Sequence, residues 1–364
     1  MMNNAQVKIS CRNLNQEVEF FIQLGFKLLQ VFPADNPRVM VLSGFDLNLR
    51  IERGLPVNDL TVILPNNSTQ STAALVSPSG VTVQFQAQTQ TSINLNVVIP
   101  EQIECTVTLF DEAESWVTGR AGMLYRDLIP SRLSGAIIAS NIKIPDGGPV
   151  PDHVHYHNIQ FQLIFCTKGW VKVVYEDQGE AIILKAGDCV TQPPGIRHQV
   201  LEASDGLEVV EIGLPAEHMT TLDYQMKLPT GQYLPERLYN DGTHTEQKFC
   251  HHQQSAANWN FFLDSGLMHS ETSIVSDSGG LAAVNVIKTS PEVVQDDENK
   301  LSLHHQNALC FYYLMAGQVT FQQAGQESIE LHERDGFVLP RDQAIELSHF
   351  SDGFKCIEFV WLDN

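Results

Sequence analysis

Apolar and polar positions alternate in two different ways along this chain. Near the N-terminus, Val7-Lys8-Ile9-Ser10-Cys11 alternates with period two and predicts a strand. Between Asn15 and Leu24 the apolar residues fall at 18, 21, 22 and 24, close to helical spacing, with Asn13 or Asn15 as cap and Gly25 as stop. Residues 26–32, 38–42 and 46–52 then read as strands, with a turn at 33–37. A second turn, Ser77-Pro78-Ser79-Gly80, leads into an alternating strand at 81–86, and the polar stretch 88–92 reads as a linker. From Cys105 onward helical periodicity is scarce. Short strands at 136–144, 161–166, 170–175, 181–184 and 207–212 are separated by Gly, Pro and Asp turns, the rhythm of a β-sandwich or barrel.

That rhythm occurs twice. Gly169, Pro193, Gly206 and Glu211 fall on Gly317, Pro340, Gly353 and Glu358 at an offset of 147 or 148, which predicts two barrels of one type in tandem. The expected fold is mostly β, with a small α+β domain of strand–helix–three-strand (βαβββ) order at 1–95, a first barrel at 104–230 and a second at 231–364. A length of 364 residues suits two or three such domains.

Composition narrows the function. The net charge of −21 gives no field to attract nucleic acid or an anionic membrane. No apolar run is long enough to span a bilayer, and residues 1–7 show no basic or apolar leader pattern, so a soluble cytoplasmic protein is expected. Seven Cys with no CxxC pair read as reduced, mostly buried thiols. The charge run 295–300 reads as a solvated loop. Histidine is the uneven component: all 13 lie at or beyond His153.

The chemistry concentrates in Pro151-Asp152-His153-Val154-His155-Tyr156-His157-Asn158-Ile159-Gln160-Phe161-Gln162. Strand alternation would place His153, His155 and His157 on one face, joined by Gln160 and Gln162 if the alternation shifts through a bend at Asn158. A fourth histidine, His198, follows the turn Pro193-Pro194-Gly195. Several imidazoles in one barrel interior need polar partners or a metal, since each ring carries two nitrogens.

These spacings resemble the cupin family. Its first motif, HxH followed by Glu and then Gly, matches His155-Tyr156-His157, Gln162 and Gly169, with Gln in place of Glu. Its second, Gly, Pro-x-Gly and His, matches Gly187, Pro193-Pro194-Gly195 and His198. The resemblance implies two tandem cupin jelly-roll barrels, a bicupin. It also implies one divalent transition metal (Fe, Zn, Ni or Mn) held by His155, His157, Gln162 and His198. Two alternatives stay open: binding through the three histidines with Gln162 further out, or His153 as an extra ligand. In the second barrel the matching positions are Leu303, His305, Cys310 and Ile345, which do not make a site. Over roughly the first 90 residues the chain resembles the glyoxalase/vicinal-oxygen-chelate family. There the metal positions correspond to Gln6 and Gln84, and no metal is expected.

The function implied is a metal-dependent, dioxygenase-like enzyme acting on a small organic molecule, with isomerase or lyase chemistry also open. The alternative is a cupin that binds or senses a small ligand without turnover. Glu202, four residues after His198, is the nearest acid in sequence, and no carboxylate base beside the metal is evident. Arg120, Arg126 and Arg132, near Tyr125, could hold an anionic substrate, although pairing with nearby Asp and Glu is the favoured reading. Arg197 reads as a salt-bridge residue, and Tyr156 should face away from the metal. A small-molecule partner is expected, with a homodimer as one open arrangement.

Overall fold

The computed structural model describes residues 5–23, 25–44, 47–54, 61–66, 74–76, 82–87, 97–113, 116–240, 242, 245–262, 265–292 and 299–362. The turn expected at 77–80, the linker at 88–92 and most of the charge run at 295–300 lie outside them. Among the described residues no helix is long and apolar enough to cross a membrane. All seven cysteines are free, and all but the half-buried Cys105 are buried.

The N-terminal part runs strand Gln6–Cys11, helix Leu14–Gln23, then strands Lys27–Phe32, Val39–Gly44 and Leu47–Arg53, the βαβββ order expected. The Asn13 side chain caps the helix by accepting from the Gln16 backbone N–H at 3.2 Å. Gly25 ends it with φ +102°. The helix buries Leu14 and Val18 against Leu42, Leu49 and Ile51. Strand Gln6–Cys11 runs parallel to Leu47–Arg53, so the helix serves as the crossover between parallel strands.

The first barrel is built from two sheets. One contains, in order, Ile182–Lys185, Trp170–Tyr175, His198–Ala203, His155–Asn158 and Met219–Leu222. The other contains Cys189–Thr191, Phe161–Lys168, Leu207–Leu214, Ile138–Ile144 and Leu124–Asp127. Strand alternation sorts the side chains of Phe161–Lys168. Phe161, Leu163 and Phe165 face outward into a core shared with Leu309, Phe311, Phe359 and Trp361 of the second barrel. Gln162, Ile164 and Cys166 face the interior of the first. Burial of these aliphatic and aromatic side chains holds the two barrels together.

The second barrel pairs Leu267–Glu271, Ala282–Thr289, Lys355–Trp361, Leu309–Ala316 and Gly336–Pro340 in one sheet. Its other sheet contains Lys300–His304, Ala344–Ser348, Gln318–Gln323 and Ile329–His332. Its interior is filled by Leu303, Cys310, Tyr312, Phe321, Phe337 and Ile345 with their neighbours, and Tyr312 stacks on Phe337 at 4.6 Å. Strand pairing also exchanges segments between the halves. Thr106–Thr108 pairs with Gly336–Pro340 of the second barrel, whereas His251–His252 pairs with Cys189–Thr191 of the first.

The N-terminal sheet is continuous with the first barrel. Gln30 and Val31 pair with Thr221 and Thr220, and His157 pairs with Thr220 from the other side. The 33–37 turn then reaches over the barrel, where buried Asp35 forms an ion pair with Arg132, which Asp127 also holds at 2.9 Å. Asp35→Ala should therefore lower the urea midpoint of unfolding by an amount equivalent to about 1.5–3 kcal/mol, the usual range for a hydrogen bond to a charged group. An unchanged midpoint would show that the turn does not brace the barrel.

Candidate metal centre

Three imidazoles meet inside the first barrel. Adjacent strands place His155 directly opposite His198, and two-residue alternation puts His157 on the same face as His155. All three are buried. Their ring centroids lie 4.2 Å (His155–His198), 5.2 Å (His157–His198) and 5.3 Å (His155–His157) apart. One nitrogen from each falls within 4.8 Å of the others, a geometry able to hold a metal ion.

Backbone carbonyls fix the tautomers of two of the three rings. His155 Nδ1 lies 2.7 Å from the His153 carbonyl and His198 Nδ1 lies 3.0 Å from the Ile196 carbonyl. A carbonyl only accepts, so both Nδ1 atoms carry the proton and both Nε2 atoms present lone pairs. His157 Nδ1 lies 3.0 Å from the Thr220 hydroxyl, which leaves its Nε2 for the interior. Outer hydrogen bonds of this kind orient the imidazoles of metal sites.

Gln162 joins them in the wall of a cavity of about 90 Å³. Its Nε2 donates to Glu211, and its Oε1 is a buried oxygen with no partner. This arrangement explains the departure from the motif. A carboxylate at 162 would face the Glu211 carboxyl at hydrogen-bond distance, where two like charges disfavour each other. The amide instead donates to Glu211 and turns its oxygen the other way. Three imidazole lone pairs and an orphaned amide oxygen are a donor set that fits a divalent transition metal.

The electrostatics keep the rings neutral. Burial, helped by the Arg120 charge, holds the His155 pKa well below its ordinary value. Burial and the neighbouring imidazoles do the same for His157, and His198 is lowered to about 4, chiefly by burial. Desolvation pushes Glu211 the other way, up to about 7, against the opposing hydrogen bond from Gln162. The other cavity walls are mostly apolar, including Met123, Ile142, Ile164, Val173 and Val209, and Ala34 of the N-terminal turn is among them.

Several expected residues stand elsewhere. His153 is exposed and sits against Tyr224 at 5.1 Å, because the strand begins only at His155 and the alternation does not extend back to 153. It does not share the face of His155 and His157. Glu202 lies opposite Lys172, outside the cavity lining, because a bulge shifts the register of its strand between His198 and Glu202. Glu211, not read from the sequence as a site residue, is the acid that lines the cavity, so a carboxyl does stand beside the site. The sequence signal was its place on an interior-facing strand position, matched by Glu358 in the second copy.

The three arginines separate. Arg120 enters the cavity, Arg126 bonds the Arg334 carbonyl at the seam between barrels, and Arg132 pairs with Asp35 and Asp127. Arg197 pairs with Asp223 at 3.0 Å and covers the outward Tyr156 ring at 4.7 Å, as read. In the second barrel, Leu303, Cys310 and Ile345 are core residues, and His305 Nε2 bonds the Leu339 carbonyl at 2.7 Å. In the N-terminal sheet, Gln6 and Gln84 lie two strands apart, each opposite Ile63, so they are about 10 Å apart at the usual strand spacing.

These shifts set a pH dependence. The unfolded chain takes up protons near pH 6.5, while His155, His157, His198 and the likewise lowered His218 refuse them in the native state. Each therefore costs stability as pH falls below about 6.5. Glu211 has the opposite sign: its native proton adds stability below its unfolded value, and that contribution is lost as pH rises to about 7. Four imidazoles outweigh one carboxyl. Metal-free protein should lose stability from pH 6.5 toward pH 5, by at most about 1.4 kcal/mol per imidazole per unit. Urea midpoints across that range measure it, and a midpoint that rises on acidification would contradict neutral burial of the histidines.

Comparison with known proteins places this geometry. Residues 141–212, which contain all three histidines, Gln162 and Glu211, match the cupin domain family model. No curated protein matches the chain. Among solved structures, oxalate decarboxylase from Bacillus subtilis is similar with a TM-score of 0.50 at 11% identity, over 71% of this chain and 76% of that one. The YlbA protein from E. coli gives 0.48 at 9%, over 74% and 95%. A salicylate 1,2-dioxygenase mutant from Pseudoaminobacter salicylatoxidans gives 0.45 at 12%, over 62% and 70%. The matched segment and the architecture shared with the decarboxylase lead to one conclusion: residues 141–212 of the first barrel match the cupin domain, and the chain has the bicupin jelly-roll fold.

Proposed function

We propose that this chain is a metal-dependent enzyme that converts a small organic molecule at one divalent transition metal (Fe, Zn, Ni or Mn) in the first barrel. Dioxygenase-like oxidation is the reaction class. The observation that carries the proposal is the convergence of three imidazoles, two of them with tautomers fixed by backbone carbonyls so that Nε2 presents a lone pair, in a buried cavity with mostly apolar walls. His155, His157 and His198 would hold the metal, with the Gln162 amide oxygen as a weaker fourth donor. When bound, such a metal acts as a Lewis acid toward a ligating substrate oxygen.

The chain's own groups supply the rest. Met123, Ile164 and Val209 keep water from the reacting atoms. Glu211 has a pKa of about 7, near the value at which a carboxyl both holds and gives up a proton at neutral pH. It can exchange that proton at its carboxyl oxygen with a substrate in the same cavity. Gln162 orients Glu211 through its amide N–H. A second reading, a ligand-binding cupin without turnover, is favoured by the neutral Gln162, which supplies no negative charge where the motif has a carboxylate.

Titration of metal-free protein with Zn(II) and Fe(II) tests the assignment. One equivalent should bind per chain. His155→Ala with His157→Ala should abolish tight binding, while His304→Ala with His305→Ala should leave it intact. Gln162→Ala should weaken it by about 10–100-fold, the range for supporting groups at metal sites. Equal loss in both histidine pairs would contradict a single site. Oxygen consumption across a set of small organic substrates separates enzyme from binder: uptake dependent on Fe(II) is expected, and ligand binding without uptake would favour the second reading.

A further inference from the structure

Among the described residues that line the cavity, Arg120 is the one arginine or lysine, and the proposed metal chemistry gives it no part. It lies in a short helical turn, Arg120–Gly122, ahead of the first barrel, and its side chain is only 13% exposed. Nη1 pairs with Asp152. Asp152 is itself fixed, because its carboxylate accepts the Val200 backbone N–H at 2.9 Å. Nη2 donates to His155 Nε2 at 3.0 Å, and Nε is buried without a partner. Thus Asp152 occupies one edge of the guanidinium. The other edge, Nε–H with Nη2–H, is the two-donor fork that matches a carboxylate.

The two donors of that fork are incompletely used. Nε has no acceptor at all, and a buried donor without a partner is costly. Nη2 uses the same His155 lone pair that a metal would take. Once that lone pair is committed to a metal, both donors of the fork need a new acceptor. Charge balance points the same way. Asp152 already neutralises Arg120, the rings are uncharged and Gln162 is an amide, so Glu211 could offset at most one charge of a divalent ion, and the cavity would still gain net positive charge.

We propose that the natural ligand of the first barrel is a small carboxylate, held bidentately by the Nε/Nη2 edge of Arg120, with its apolar remainder against Met123, Ile142, Val200 and Val209. The proposal rests on the metal reading and adds the substrate class to it. Arg120 then has two roles: it plugs the metal-free site through His155 and becomes the carboxylate receptor when metal binds. By linkage, metal and carboxylate should each raise the other's affinity.

The test uses 2-methylpropanoate and its neutral isostere 2-methylpropanamide as probes, titrated into Zn(II)-loaded and metal-free full-length protein by calorimetry. The carboxylate should bind the Zn(II) form at least tenfold more tightly than the amide, and more tightly than it binds the metal-free form. Arg120→Gln combined with Asp152→Asn, which leaves no unpaired charge, should cost at least tenfold in carboxylate affinity at unchanged zinc stoichiometry. Arg120→Lys, which keeps the charge and loses the fork, should fall between. Equal binding of acid and amide, or full carboxylate affinity in the double variant, would overturn the proposal. Failure of the wild type to take up zinc would overturn the metal reading instead. Arg120 would then be judged by the metal-free titration, where a lack of preference for the acid counts against it.

Discussion

Neutrality of three buried imidazoles is the constraint on which the rest of this site depends. Packed with centroids 4.2–5.3 Å apart, the rings cannot share protons without strong repulsion. The fold meets the constraint by burial and by giving each Nδ1 an oxygen partner: a carbonyl two residues back for His155 and His198, and Thr220 for His157. The two carbonyls come from the residues just ahead of the strands that carry His155 and His198, and Thr220 lies on the strand paired with His157, so local chain path and sheet pairing place all three partners. The lone pairs that result have nowhere to point but inward.

The same constraint accounts for what surrounds the histidines. A cavity that must keep imidazole neutral can tolerate few other charges. Arg120 is paired with Asp152, Glu211 is held close to its neutral form, and position 162 carries an amide. The second barrel solves the equivalent space differently, with Leu303, Cys310 and Ile345 packed among aromatic rings. Its turns recur at matching spacing without a polar interior, and its outward strands Leu309–Ala316 and Lys355–Trp361 supply Leu309, Phe311, Tyr313, Ile357, Phe359 and Trp361 to the core between the barrels. The N-terminal part contributes at the barrel mouth, through strand pairing to Met219–Leu222, the lining residue Ala34 and the Asp35–Arg132 ion pair.

Much of this was legible in the sequence because it is written in local spacing. The HxH pair, Gln162 and His198 lie at fixed offsets from Gly and Pro turns, and period-two alternation turns those offsets into a shared face. The tandem repeat of turns gave the two barrels. What was not legible depends on long-range placement. His153 follows the alternation in sequence but precedes the strand in space. Glu202 is nearer to His198 in sequence than Glu211, yet a bulge turns it outward, while Glu211 arrives on a different strand. Arg120, Arg126 and Arg132 form one cluster in sequence and three separate contacts in space. The reach of the 33–37 turn over the barrel follows from sheet continuity, which no local pattern encodes.

X-ray absorption at the zinc edge of protein loaded with one equivalent of Zn(II) tests the central claim most directly, since it counts donors by type without reference to turnover. The expected spectrum has light-atom scattering at about 2.0–2.1 Å and outer-shell features from three imidazoles. Sulfur scattering at about 2.3 Å, or outer-shell features from fewer than two imidazoles, would contradict a metal centre built from His155, His157 and His198.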